Sequence, residues 1–63
     1  MITKEEAMRL KKGDRVFNLI WNEVWTVVAP YQEYKGGWLV EVMGKGGGYA
    51  GISDQRMSEW DLI

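Results

Sequence analysis

The sequence contains neither histidine nor cysteine, and this limits the chemistry that its side chains can perform. Disulfides, thiolate nucleophiles and the usual zinc ligands are all excluded. Histidine is also the side chain most often used as a general base near neutral pH. We therefore expect a protein that is not an enzyme, with no catalytic residues, no metal site and no cofactor.

The glycine-rich run Gly44-Lys45-Gly46-Gly47-Gly48 is the feature most similar to a phosphate site. Glycines let backbone N–H groups approach an anion, and Lys45 adds a positive charge. The run lacks the spacing of a P-loop and has no serine or threonine after its lysine. Because its composition favours turns, we interpret it as a flexible hairpin loop and leave anion binding open.

Three acidic residues, Asp54, Glu59 and Asp61, lie near the end of the sequence. Paired carboxylates can serve in glycoside hydrolysis or bind a divalent cation. A chain of 63 residues offers little cleft in which to raise the pKa of a carboxyl group. We interpret these residues as solvated charges that discourage pairing at a sheet edge.

Four basic residues form a local cluster: Arg9, Lys11, Lys12 and Arg15. Such a cluster, with aromatic rings nearby, can hold single-stranded nucleic acid by charge and stacking. The formal net charge of −1 gives no strong field for a polyanion, and cations are also favoured at a helix end. Nucleic-acid binding is therefore the alternative hypothesis.

The aromatic content is the strongest signal, because four tryptophans, three tyrosines and one phenylalanine exceed what so small a core can hold. Tyrosine and tryptophan give large contact areas at low entropic cost and are frequent in interface hot spots. We predict a surface for a protein partner or a second copy of the chain, on residues 31–37 and their neighbours. Its side chains are Trp25, Tyr31, Tyr34 and Tyr49. The alternative is that half-buried rings cap the core.

The local patterns predict one helix followed by five short strands. Thr3 and Glu6 form a capping-box pattern, and Gly13 is suited to the C′ position, which predicts a helix over about residues 4–12. Apolar and alternating runs predict strands, with Pro30 ending the second and Ser53 or Asp54 capping a helical turn through Met57. The predicted strands are residues 15–21, 24–29, 38–43, 49–52 and 59–63. The predicted buried residues are Val16, Val27, Val40, Val42, Ile52 and Leu62.

These elements predict a single all-β domain, a five-stranded SH3-like barrel over about residues 14–63 that follows a short N-terminal helix. Closing a sheet removes its exposed edges. An open three-stranded sheet with a helix is the structural alternative. The sequence has no apolar run of membrane-spanning length and no signal-peptide pattern at its start, so we expect a cytoplasmic protein without a membrane partner.

Parts of the sequence resemble two families of small barrels. Type II plasmid-encoded dihydrofolate reductases have a similar Gly-Asp-Arg-Val start, a central tryptophan and an aromatic-x-Val-Glu strand, here residues 13–16, Trp25 and residues 38–41. The PsaE-type photosystem I accessory subunit is similar at residues 21–28 and at Tyr49-x-Gly51. Both resemblances imply an SH3-like fold.

The reductase resemblance does not extend to that family's active segment, Val-Gln-Ile-Tyr. Tyr49-Ala50-Gly51-Ile52 stands in its place, without the glutamine that contacts cofactor and substrate and without the tyrosine of the active pore. We expect no dihydrofolate reductase turnover. An oligomeric reductase-like enzyme with a shared pore is the second alternative to a binding module.

Overall fold

The computed structural model describes residues 1–63, and five strands form about half of it. One antiparallel sheet has the strand order β4-β3-β2-β1-β5. The sheet is not closed into a barrel, so β4 and β5 are its edges, while the predicted all-β class is confirmed. The elements are α1 (Lys4–Met8), β1 (Arg15–Asn18), β2 (Glu23–Tyr34), β3 (Gly37–Met43), β4 (Tyr49–Ser53), a 3₁₀ turn (Met57–Glu59) and β5 (Trp60–Leu62).

The helix α1 begins where predicted but ends early. The Thr3 hydroxyl accepts a hydrogen bond from the Glu6 amide at 3.2 Å, and the Glu6 carboxylate accepts one from the Thr3 amide at 2.9 Å. The helix ends at Met8, with Arg9 as its C-cap, rather than at residue 12.

A competing turn explains the early end of α1. The Lys11 amide donates to the Asp14 carboxylate at 2.9 Å, and the Asp14 amide donates to the Lys11 carbonyl at 2.9 Å. Such local bonds compete with helical ones. Because Arg9 is the C-cap, Gly13 lies beyond the C′ position, and its predicted role as the C′ residue of the helix is wrong. Gly13 instead has a φ of 97° within this turn. Because no basic residue lies in the last helical turn, compensation of the helix dipole does not explain the basic cluster.

The strand β2 continues through Pro30, where the sequence predicts a stop. Its pairing with β3 shifts register between Val27 and Ala29 and again between Ala29 and Gln32. Pro30 lies in the second irregularity, where a residue without an N–H is tolerated. The predicted loop over residues 31–37 is therefore mostly strand and contains only a short turn at Lys35 and Gly36.

The core lies on one face of the sheet. Five of the predicted residues are buried there, as the period-two pattern requires: Val16, Val27, Val40, Val42 and Ile52. The prediction for Leu62 is wrong, since this side chain is 45% exposed. Leu62 ends the edge strand β5, whereas Trp60, two residues earlier on the same face, is buried.

The N-terminal segment covers this core. Ile2, Ala7 and Leu10 belong to the buried cluster, although the sequence did not mark Ile2 as a core residue. The Ile2 amide donates to the Met57 carbonyl at 3.1 Å, and the N-terminal ammonium contacts the Asp61 carboxylate. These contacts hold the N-terminal segment against the C-terminal part of the chain.

The predicted helical turn near Ser53 lies later in the chain than expected. The Arg56 amide donates to the Ser53 carbonyl at 3.1 Å, and the 3₁₀ turn begins after Arg56 without a side-chain cap. The last strand consequently begins at Trp60 instead of Glu59. None of the helices has the length and apolar character needed to cross a membrane.

Candidate functional site

Trp25 faces the core side of the sheet. Its ring meets Trp60 edge to face, with ring centroids 5.7 Å apart and an interplanar angle of 88°. The same ring lies over Gly44, where an added Cβ would come within 3.0 to 3.1 Å of three ring atoms. Trp25 is thus half-buried and packs against the core, which leaves only part of the ring for a partner.

A Gly44→Ala variant is expected to lose about 1–3 kcal/mol of folding stability, because the new methyl group must displace the packed indole of Trp25. Chemical denaturation with tryptophan fluorescence measures this loss. Gly46→Ala is the matched control, since an added Cβ there meets no atom within 4 Å. Equal stability of the two variants would show that Trp25 does not pack on Gly44.

Tyr31 and Tyr34 have different surroundings. Tyr31 is half-buried and lies against the buried Trp38 ring, with centroids 5.7 Å apart and a tilt of 30°. Tyr34 is 56% exposed at the end of β2. Only Tyr34 therefore has the free ring that the sequence predicts for both, and replacing both tyrosines should also weaken the fold through Tyr31.

A polar network around Tyr31 joins β2 to α1. The Tyr31 hydroxyl donates to the Glu33 carboxylate, which also contacts the Lys4 ammonium at 3.3 Å. The pKa of Glu33 is lowered below its usual value, mainly by the hydrogen bond from Tyr31 and secondly by the contact with Lys4. The hydrogen bond to Glu33 raises the pKa of Lys4. The pKa of Tyr31 is also raised, mainly by partial burial and secondly by its hydrogen bond to Glu33. Glu33 thus binds both Tyr31 and Lys4, and the network links the two elements.

The four predicted partner-binding side chains do not form one surface. Tyr49 is 70% exposed and pairs with Met43, at the opposite end of β3 from the pairing of Tyr34 with Gly37. The strand rise of about 3.3 Å per residue places these ends of β3 roughly 20 Å apart. Trp25 and Tyr31 pack mainly inward against the core.

The structure instead exposes three consecutive large apolar residues, which we term the apolar tip: Leu19, Ile20 and Trp21. They form the turn between β1 and β2 and are 46%, 66% and 69% exposed. Sequence reasoning missed them because an apolar run after Arg15 has the signature of a strand. The available signal was Asn18 with Asn22, since asparagine at both ends of a short run favours a turn.

Asn18 holds the backbone of the apolar tip, and it is the only buried residue with a polar side chain. Its side-chain oxygen accepts hydrogen bonds from the Ile20 amide at 3.0 Å and from the Trp21 amide at 2.7 Å. The Leu19 amide donates to the Glu59 carbonyl at 2.8 Å, and Asn22 closes the turn with a φ of 56°. The tip is thus a built turn with exposed side chains.

A second feature lies on the outer face of the sheet, opposite the core. Arg15 pairs with Thr26, Thr26 with Met43, and Met43 with Tyr49, so these residues form one row across four strands. A shallow cavity of about 380 Å³ opens beside this row. We term it the cation cavity, and it is lined by Arg15, Val24, Thr26, Met43, Gly44 and Lys45.

The cation cavity combines one cation from each of two predicted features. Arg15 comes from the basic cluster and Lys45, with its neighbour Gly44, from the glycine-rich run, while Arg9, Lys11 and Lys12 are exposed and do not line it. The run itself is a hairpin loop, as interpreted. The Gly44 amide donates to the Gly48 carbonyl at 2.7 Å, so that N–H is already used within the loop.

The three C-terminal carboxylates have separate surroundings. Glu59 pairs with Arg56 at 3.1 Å, and Asp61 contacts the N-terminal ammonium. Asp54 lies beside Gly37, where an added Cβ would come within 3.2 Å of both carboxylate oxygens. Glu59 and Asp61 thus each have a charged partner, whereas Asp54 takes part in none of the ion pairs.

Fold and surface together define a small antiparallel β-sheet domain with an apolar tip at one turn and a cation cavity on its outer face. No protein-family model matches the chain, and comparison with curated proteins and with solved structures gives no match. The two surface features therefore carry the functional proposals.

Proposed function

We propose that the protein is a small, non-enzymatic binding module that engages a protein partner through the apolar tip. The observation that carries this proposal is the exposure of three consecutive large apolar side chains, Leu19, Ile20 and Trp21. Single exposed apolar residues are ordinary on protein surfaces, whereas contiguous exposed ones mark interaction sites. The fold does not use these side chains, because they lie outside the buried cluster.

The fixed backbone of the apolar tip supports binding. The two hydrogen bonds to Asn18 hold the turn in one conformation before any partner arrives. A preorganised segment loses less entropy on binding than a mobile one. Trp21 at its end is of the residue type most enriched in interface hot spots.

The shape and surroundings of the apolar tip favour a different protein over a second copy of the chain. A projecting tip needs an apolar cleft, whereas this chain's own cavity has Arg15 and Lys45 in its lining. The negative charges of the nearby Glu59 and Asp61 are neutralised by Arg56 and by the N-terminal ammonium. We therefore expect a partner with an apolar cleft, and a binding constant that depends weakly on salt, unlike one that rests on phosphate contacts.

We also propose that the domain is SH3-like in its topology and functions in the cytoplasm. Three features support this topology: the strand order, the 3₁₀ turn directly before the last strand, and the two register shifts that curve β2. Small β-domains of this kind present partner-binding residues on their turns, as the apolar tip does.

A double variant, Ile20→Ser with Trp21→Ser, is expected to keep its stability within about 0.5 kcal/mol, because both side chains are exposed. It should weaken partner binding by about 2 kcal/mol or more, close to thirtyfold in Kd. Cross-linking in cell extract identifies proteins that bind the wild type, and titration of the purified partner gives Kd. Tyr34→Ser is the matched control, since Tyr34 is also exposed but lies elsewhere.

Several outcomes would contradict the proposal. Equal affinity of the double variant and the wild type for the identified partner would exclude the apolar tip as the binding surface. Sedimentation that shows a dimer of the wild type and a monomer of the double variant would assign the tip to self-association. An affinity that falls steeply with salt for nucleic acid would favour the alternative hypothesis.

A further inference from the structure

We infer that the cation cavity binds a small organic phosphate in which the phosphate group is attached to a ring. The ligand chemistry is that of a mononucleotide, with the phosphate between Arg15 and Lys45 and the ring on the apolar floor. This site is separate from the apolar tip, and the inference does not depend on the proposed protein partner.

The two cations reach the cavity from different parts of the chain. Arg15 lies on β1, and Lys45 follows β3, with β2 between these strands. The spacing of about 4.8 Å between neighbouring strands separates β1 from β3 by roughly 10 Å. Two cations on opposite sides of an open cavity can therefore contact the same anion, and Arg15 can bind two of its oxygens at once.

Neither cation has a carboxylate partner within ion-pair distance. The three ion pairs of the chain involve the N-terminal ammonium, Lys4 and Arg56. Folding thus places two like charges at one cavity without local compensation. A phosphate bound between them would remove their repulsion and form charge-assisted hydrogen bonds.

The floor of the cavity is suited to an apolar ring. Val24 and Met43 supply apolar surface, and Thr26 between them adds a hydroxyl that can donate to the ligand. Tyr49, which pairs with Met43 and is 70% exposed, offers a ring at the end of the same row. The volume of about 380 Å³ falls near the lower end of the range typical of small-molecule pockets.

An acidic residue on the outer face favours a small ligand over a nucleic-acid strand. Glu41 lies on this face next to the row that contains Met43, and it takes part in none of the three ion pairs. A long strand that follows the sheet would meet this carboxylate beside the cavity. The chain's net charge of −1 also gives a polyanion no general attraction.

Titration of the ¹⁵N-labelled protein with AMP, followed by NMR, tests the inference. We expect saturable shifts at the amides of Thr26, Met43 and Lys45, and weaker binding of inorganic phosphate or adenosine alone. The double variant Arg15→Gln with Lys45→Gln should bind AMP about tenfold or more weakly, since hydrogen bonds to charged groups are lost. It should remain folded because both residues are exposed. Lys12→Gln with Lys35→Gln is the control of equal charge.

Any of the following results would contradict the inference. Shifts that do not saturate, or equal binding of AMP by the two double variants, would show that the cavity is not the site. Binding of inorganic phosphate as tight as that of AMP would exclude a role for the apolar floor. A deoxythymidine oligonucleotide that binds far more tightly than AMP, with a steep dependence on salt, would assign the face to nucleic acid.

Discussion

A Trp60→Ala variant is expected to be largely unfolded at room temperature. Trp60 is 1% exposed and packs edge to face against Trp25. Replacing a buried tryptophan by alanine costs about 3–5 kcal/mol. A core of this size rarely supplies more than about 3–5 kcal/mol of stability, so the loss removes most of it. Circular dichroism in the absence of denaturant and urea unfolding curves measure the result.

Two further variants separate burial from residue type. Trp21→Ala removes the same side chain from a position that is 69% exposed, and its free energy of unfolding should stay within about 0.5 kcal/mol of the wild type. Trp60→Phe keeps most of the buried volume and removes an indole N–H that has no hydrogen-bond partner, so it should fold. A Trp60→Ala protein with the same urea midpoint as Trp21→Ala would refute the core position of Trp60.

The second large effect is expected for Ile2→Ala, although residue 2 of a chain is an unusual place for a core residue. The Ile2 side chain is fully buried, and its amide donates to the Met57 carbonyl at 3.1 Å. Truncating a buried isoleucine to alanine costs about 2–5 kcal/mol, because a cavity remains beneath the N-terminal segment. Thermal unfolding followed by circular dichroism should show a strongly lowered Tm.

Ile63→Ala is the matched control for this position. It removes the same atoms at the other end of the chain, where the side chain is 76% exposed. Its Tm should lie close to that of the wild type. Similar Tm values for the two variants would mean that the Ile2 side chain does not belong to the core.

Local sequence patterns were sufficient for several elements. The hydrogen bonds of the capping box form between Thr3 and Glu6, so the start of α1 depends on residues three apart. The alternation of Trp38, Val40 and Val42 with Glu41 reflects the pleat of a single strand, and all three apolar residues are buried. Such features need no knowledge of distant residues.

Elements that depend on distant partners were predicted less well. Pro30 remains inside β2 because two shifts of register against β3 accommodate it, and a propensity argument contains no information on register. Leu62 and Trp60 share one face of β5, yet only Trp60 meets the core, because the edge strand ends beyond it. Burial along an edge strand is decided by what packs over it.

The candidate sites likewise depend partly on local sequence and partly on contacts between distant residues. The residue types are evident in the sequence, including the apolar run that ends at Trp21 and the cations at Arg15 and Lys45. An apolar run has the same signature in a buried strand and in an exposed turn, and here the hydrogen bonds that the Ile20 and Trp21 amides donate to Asn18 fix the turn. Arg15 and Lys45 are far apart along the chain and meet because β2 pairs with both β1 and β3.

Residue types and local patterns are enough to specify the β-rich class, the start of the helix, the inward face of β3 and the lack of histidine and cysteine side chains. These follow from backbone preferences and side-chain types, which act within a few residues. Three-dimensional packing is needed to specify that the sheet stays open, that Ile2 and Trp60 complete the core, and that the surface carries an apolar tip and a cation cavity. These features arise from contacts between residues that are distant in the chain, whereas a local pattern encodes only which side of a strand is apolar.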